Sequence, residues 1–235
     1  SAGSTITSEV NNYEKKFIVN VYSINENDIS ALRDDEPYVN AIDNYREGVL
    51  FELSSVKYPD TMIKYYSTTW KDVVKTIYKS ANFGNELEKE NYFKKDLLAI
   101  LSAAKNDVEK VNLILQFVKS KVKWNNYNGK YTDFGVKKAY KNGVGNSADI
   151  NLMLTSMLRT AGLNANPILI STRKHGVSFF PTLDGFNYVI TGVLMGNNMI
   201  YLDATEKFSL PNVLPLRLIN WRGRLIKKDL SSEWV

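Results

Sequence analysis

The sequence predicts an α+β protein, with helices packed on an antiparallel β-sheet and a β-rich remnant at the N-terminal end. Three observations predict it. In the first 66 residues, apolar and polar side chains alternate in several short runs, the period of a half-buried strand. From Trp70 to Val122 the apolar spacing changes to three and four, the period of an amphipathic helix. After a more apolar helix beginning near residue 147, two short apolar runs flank Gly196-Asn197-Asn198, the pattern of a hairpin.

Each element has its local reason. KKFIVNVYSI (15–24) and GVLFELSSVK (48–57) alternate and read as strands, separated by an acidic, polar connection over 25–46. Pro59 and Asp60 make a turn, and TMIKYYS reads as a further strand. This is too little β-structure to close a domain by itself, so the chain divides into a β-rich segment, 1–66, and a main domain, 67–235. Thr69 and Asp72 form a capping pair for a helix with Trp70, Val73, Val74, Ile77 and Tyr78 on one face, and Gly84 falls where a helix-ending glycine would. A short helix follows near 89–104. Asn106 and Glu109 open another, whose Val108, Val111, Leu115, Val118 and Val122 keep helical spacing to Lys123. Phe134 to Lys141 suits one or two helical turns.

Asn146 or Ser147 can cap the next helix, with Asp149 favourable in its first turn and Gly162 as its stop. Ile150, Met153, Leu154, Met157, Leu158 and Ala161 give it a broad apolar face. Asn164 to Asn166 turn the chain into an apolar strand from Pro167, and a loop carrying Lys174, His175 and Gly176 runs to Pro181. Strands follow at 186–193 and 199–205, and a last one at about 222–228.

Composition removes several function classes. The 235 residues include no cysteine, which excludes a disulfide framework, a zinc–thiolate site and a cysteine nucleophile. The one histidine, His175, excludes a multi-histidine metal site. Asp149 and Asp203 are too few for a calcium loop, and Asp28, Asp34, Asp35 and Glu36 read as a solvated patch, so no metal and no cofactor are expected. No uncharged apolar run approaches 18 residues, so no transmembrane segment is expected. The net charge of +5 resides in Arg217, Arg222, Arg224, Lys227 and Lys228, since the other basic residues balance the 25 acids. No helix-turn-helix, RNP or zinc signature accompanies them, so nucleic acid is not an expected partner. The opening SAGSTITSE has neither Met nor a leader pattern and reads as a mature or trimmed fragment.

Three polar positions punctuate the main domain: Ser147 at a helix start, Asn187 early in one hairpin strand and Asp203 late in the next. With GVGNSADINLML (143–154), ANPILISTR (165–173), FNYVI (186–190), YLDAT (201–205) and LPLRLIN followed by GR (214–224), their order resembles the transglutaminase-like superfamily, which has a papain-like core. The closer resemblance is to a bacterial branch in which this domain follows a β-sandwich; NNYEKKF and DEPYVNAIDNYREGVLFEL resemble the end of that sandwich. In active members a cysteine begins the helix, where the helix terminus lowers its pKa, a histidine is the base, and an aspartate orients it. The resemblance implies that the three positions converge in space here too.

This chain keeps only Asp203. Serine offers no accessible anion near neutral pH and asparagine cannot act as a base. The resemblance therefore implies a catalytically inactive domain, a peptide- or protein-binding or structural module of a larger bacterial envelope protein. Its partners would be a peptide or protein ligand and the flanking domains, and its location the periplasm or cell surface of a Gram-negative bacterium. The alternative is an active hydrolase or acyltransferase using Ser147, with His175 as the base. If positions 147 and 187 are a degenerate pair, Ser147→Cys with Asn187→His should rebuild a reactive thiolate that neither change gives alone. Trp124, Tyr127 and Tyr131, in KWNNYNGKYTDF, would line the ligand groove in the resembled fold; such side chains serve equally as half-buried packing.

Overall fold

One helix is enclosed along nearly its whole length. α6 (Ser147–Thr160) is buried from Ser147 through Leu158, so it is covered on all sides instead of along one stripe. On one side lies a sheet; on the other lie α2 (Gly84–Leu87), α4 (Asp107–Lys121) and α5 (Val136–Asn142). Ile150, Leu152, Met153, Leu154, Met157 and Leu158 are all fully buried, each worth roughly 1.5–3 kcal/mol of transfer free energy.

The sheet contains β5 (Asn164–Ile170), β6 (Tyr188–Met195), β7 (Asn198–Leu202), β8 (Arg224–Ile226) and β9 (Ser232–Trp234), in the order β7-β6-β5-β8-β9. Every neighbouring pair is antiparallel. Val189 and Val193 join Leu169 and Leu202 in the core against α6, whereas Tyr188 and Ile190 alternate to the other face and pack with Ile168, Ile170, Leu218 and Leu225. The mixed α/β architecture, with its antiparallel sheet, is the expected fold class.

The computed structural model describes residues 21–29, 31–33, 39, 41–46, 48–49, 52–66, 69–177 and 179–235. The chain parts into two compact units, Ser1–Ala31 and Leu32–Val235. Described residues of the first carry no regular structure; the strand expected over 15–24 lies mostly outside the described residues. In the second unit, β1 (Ser55–Val56) and β2 (Lys64–Tyr65) pair as a two-residue hairpin ladder, shorter than the two strands expected there.

The capping residues behave as their chemistry dictates. The Thr69 hydroxyl accepts from Asp72 N–H to open α1 (Trp70–Lys79), and Asn106 Oδ1 accepts from Glu109 N–H to open α4. α3 (Lys94–Ala103) is shorter at its start than the spacing predicts. Two further details differ. Gly84 does not end α1; it begins α2, where an added Cβ would lie 1.9 Å from the Tyr78 carbonyl oxygen, so close approach and not a helix stop requires glycine. Asn164 to Asn166 belong to β5, paired with Leu194, Val193 and Gly192. The strand β9 gives no strong sequence signal, because its three residues alternate too briefly.

One connection positions the site. β3 (Lys123–Trp124) leaves α4 and pairs in parallel with β4 (Val144–Gly145), immediately before α6. The chain between them must therefore pass the start of α6.

Candidate functional site: a sealed helix start

Asn146 caps α6. Its side chain accepts from Asp149 N–H at 2.8 Å while Asp149 Oδ2 accepts from Asn146 N–H at 3.0 Å, a reciprocal capping box. Ser147 is thereby placed in the first helical turn, where the sequence resemblance expects it. Its surroundings differ from those of a nucleophile. Ser147 is fully buried, and its hydroxyl is held at both of its hydrogen-bonding functions by one residue: it accepts from Gly129 N–H at 2.8 Å and donates to the Gly129 carbonyl at 3.0 Å.

Residues 127–132 form a strap across the helix start. Tyr127 O accepts from Ser147 N–H at 3.2 Å, and Tyr131 O accepts from Asn146 Nδ2 at 2.9 Å. Lys130 Nζ donates to Phe186 O at 3.1 Å, and Thr132 donates from both N–H and hydroxyl to Asn82 O. Gly129 lies so near the helix that an added Cβ would stand 2.6 Å from Asn146 Nδ2 and 3.0 Å from Tyr131 O. The closeness of the strap thus depends on a glycine.

The Tyr127 carbonyl has a second donor. Trp124 Nε1–H reaches it at 2.9 Å. A main-chain N–H at the nucleophile position and an indole N–H converging on one carbonyl oxygen form the arrangement that would polarise a substrate carbonyl and stabilise an oxyanion. Here the oxygen between the two donors belongs to the chain itself.

Asp203 belongs to a different hydrogen-bond network from Ser147. It is buried and accepts from Asn151 Nδ2 at 2.7 Å, Thr205 Oγ1 at 2.7 Å and Tyr188 O–H at 3.3 Å, with Arg217 Nη2 at 3.7 Å. Asn151 also donates to Val189 O and accepts from Ala204 N–H, tying α6 to β6 and to the residues after β7. Arg217 continues outward, stacking on Trp124 at 4.2 Å and pairing with Glu206 at 2.5 Å. Burial raises the Asp203 carboxyl pKa, against the opposing pull of Asn151, Thr205 and Arg217. Burial likewise raises the Tyr188 phenol, with the Asp203 charge adding to it. Asp149 is raised by burial too, partly offset by main-chain N–H donors from Asn146 and from residues 133–135.

Asn187 belongs to neither set. It accepts from Thr172 N–H at 2.9 Å and donates to the Thr172 hydroxyl at 2.9 Å, closing the entrance of the loop that follows β5. His175 in that loop is exposed, and its Nε2 meets the Asp184 carbonyl at 2.7 Å. Ser147, Asn187, Asp203 and His175 make no hydrogen bond to one another. Asn187 and His175 do share an open cleft of about 710 Å3 with Asn146, Gly129, Tyr127 and Tyr131, so the strap forms its floor beside Ser147. Tyr127 is 72% exposed there. Trp124 lines a neighbouring cleft on the other side of the strap, with Lys119, Lys123 and Phe208. Among the described residues no group of side chains could hold a metal ion, and no helix is long and apolar enough to cross a membrane.

Sequence reasoning missed four participants: Gly129, Asn151, Tyr188 and Arg217. Asn151 carried a signal, an amide within the apolar run INLML. Gly129 did not, because nothing in the sequence says where its loop lies.

The family model for the transglutaminase-like superfamily matches residues 97–203, from within α3 to Asp203 itself. No curated protein matches the chain in sequence. Among solved structures, a candidate protease from Parabacteroides distasonis ATCC 8503 aligns with a TM-score of 0.50 at 15% identity, over 80% of this chain and 35% of that one. A candidate cysteine protease from Cytophaga hutchinsonii aligns with a TM-score of 0.39 at 16% identity, over 77% of this chain and 51% of that one. The chain thus spans about a third and about half of the lengths of these two proteins. The likeness to the transglutaminase-like superfamily thus lies on the segment that runs from within α3 through α6 and the hairpin to Asp203, somewhat less than half of the chain.

Proposed function

We propose that this is a catalytically inactive transglutaminase-like domain that binds a peptide or protein segment in the cleft beside Ser147, as one module of a larger bacterial envelope protein exposed to the periplasm or the cell surface. The observation that carries the inactive half is the seal at Ser147. Its hydroxyl is committed to Gly129, no base contacts it, and the position where a substrate carbonyl would be polarised is filled by Tyr127 O. A serine needs a neighbouring base to become a nucleophile, and the two nearest candidates by lineage are engaged elsewhere, Asn187 with Thr172 and His175 with Asp184. The binding half is supported by the cleft, whose Tyr127 and Tyr131 offer amphipathic rings and whose Asn187 and Lys130 offer polar edges.

Two assays on the intact chain test the two halves separately. Amidase, protease and transglutaminase assays should give rates equal to those of Ser147→Ala, and a fluorophosphonate probe should leave Ser147 unlabelled. Labelling that is abolished by His175→Ala would replace this reading with a serine hydrolase. A peptide-library selection should enrich sequences whose binding is lost on Tyr127→Ala. Enriched peptides that bind Tyr127→Ala equally well would move the ligand away from this cleft.

A further inference from the structure

A second pocket, sharing no residue with the Ser147 cleft, opens beside α5. It measures about 360 Å3, within the size range of small-ligand sites. Tyr92, Phe134 and Tyr140 provide aromatic walls, and Lys89, Lys137, Lys138 and Lys141 provide charge; no acid lines it. Lys137 and Lys141 stand one helical turn apart, a like-charge spacing that disfavours the helix carrying it. Neighbouring acids do not relieve it. Glu86 accepts from Val136 N–H at 2.9 Å and pairs with Lys89 at 2.5 Å, while Asp96 accepts from the Tyr140 hydroxyl. Among the described residues the Lys137 and Lys141 side chains have neither an ion pair nor a hydrogen bond, and Lys138 lies over the Phe134 ring at 5.3 Å. Independently of the charges, the Tyr92 hydroxyl is buried with no hydrogen-bond partner, which native structures rarely leave unexplained.

We propose that this pocket binds an anionic sugar: a phosphate, sulfate or carboxylate carried on a ring of monosaccharide size. The oxyanion lies against Lys137 and Lys141, where it relieves their repulsion. The apolar face of the ring rests on Phe134, which is 41% exposed. A bare oxyanion would leave the aromatic walls unused, and a neutral sugar would leave the lysines uncompensated.

Isothermal titration of the whole chain with glucose 6-phosphate, glucose 6-sulfate, glucuronate, inorganic phosphate and glucose tests this. At least one anionic sugar should bind about tenfold or more tightly than both inorganic phosphate and glucose, with affinity falling as sodium chloride rises. The three anionic sugars, compared with each other, identify which oxyanion is preferred. Lys137→Gln with Lys141→Gln should reduce that affinity by about tenfold or more. Phe134→Ala should bring the sugar's affinity down towards that of inorganic phosphate. Thermal melts of both variants check that these surface changes leave the fold intact. The proposal is overturned if no anionic sugar binds, if inorganic phosphate binds as tightly as the sugars, or if the double lysine variant binds as the parent does.

Discussion

The Ser147 and Asp203 ends of the candidate site are both buried and both hydrogen-bonded, yet by different means. At the Asp203 end, side chains satisfy a side chain: Asn151, Thr205, Tyr188 and Arg217 converge on one carboxyl. At the Ser147 end, the main chain does so, through Gly129 and the strap that holds it. The contrast teaches what each end can still do. A side-chain network survives as packing whether or not catalysis does, because removing any member leaves buried polar atoms unpaired. The strap over Ser147 commits its hydroxyl to Gly129, which is the support for the inactive reading proposed above.

Changes at the Asp203 end should have the largest effect. Asp203→Ala removes the shared acceptor of Asn151 Nδ2, the Thr205 hydroxyl and the Tyr188 hydroxyl, and one of the two countercharges of Arg217, leaving Asn151 with Val189 O and Arg217 with Glu206. We expect a loss of about 3–5 kcal/mol in urea denaturation, the range for breaking a buried charge cluster. A loss below ~1 kcal/mol, the net worth of one ordinary hydrogen bond, would mean that the network is not what binds α6 to the hairpin.

The strap end should respond less in stability and more in accessibility. Gly129→Ala puts a methyl 2.6 Å from Asn146 Nδ2, so the strap must lift, at about 1–3 kcal/mol. Ser147→Ala strands the N–H and C=O of Gly129 and should also cost ~1–3 kcal/mol. In the Ser147→Cys background, iodoacetamide should react slowly in the folded protein and several-fold faster once Gly129→Ala is added. The structure also changes what is expected of Ser147→Cys with Asn187→His. Residue 187 points its polar atoms at Thr172 and the strap covers residue 147, so the pair should react no faster than Ser147→Cys until the strap is lifted. A fast double variant under an intact strap would show that the seal does not control access to residue 147.

The smallest effect separates the two ends by pH. Burial raises the Asp203 carboxyl above its ordinary 3.8, so the folded state holds its proton more tightly than the unfolded state. Its contribution to stability is therefore fully present below pH 3.8 and is lost as pH rises through the folded value. Asp203→Asn cannot titrate, so the stability of the parent relative to this variant should decline as pH rises above about 4. A difference that grows with rising pH would mean that Arg217 and the amide and hydroxyl donors outweigh burial. Ser147→Ala should leave the pH profile of the parent unchanged.

The candidate site was legible in part, and its residues show why. Ser147, Asn187 and Asp203 stood out because a polar residue at a helix start or at a fixed register of a hairpin is a local pattern. What each of them bonds to was not legible. Asn187 turns to Thr172, fifteen residues earlier, and Ser147 to Gly129, eighteen residues earlier; these are contacts across loops with no period to read. Trp124, Tyr127 and Tyr131 illustrate the same limit: they are close in sequence, yet Trp124 faces one cleft and the two tyrosines another.

By itself, the sequence determined the elements and their class. Apolar spacing made α4 and α6, Thr69, Asn106 and Asn146 started their helices, Gly196 turned the hairpin, and the absence of cysteine and of a second histidine removed thiol and multi-histidine chemistry. These are consequences of residues within a few positions of each other. Only the tertiary structure decided that Ser147 is sealed, that Tyr127 O lies between the Ser147 and Trp124 donors, and that Asp203 serves Asn151 and Tyr188 instead of residue 187. The physical reason is that hydrogen-bond partners are chosen by distance and direction in space. Parallel pairing of β3 with β4 brings the 127–132 strap against α6, and no local period in the chain encodes that crossing.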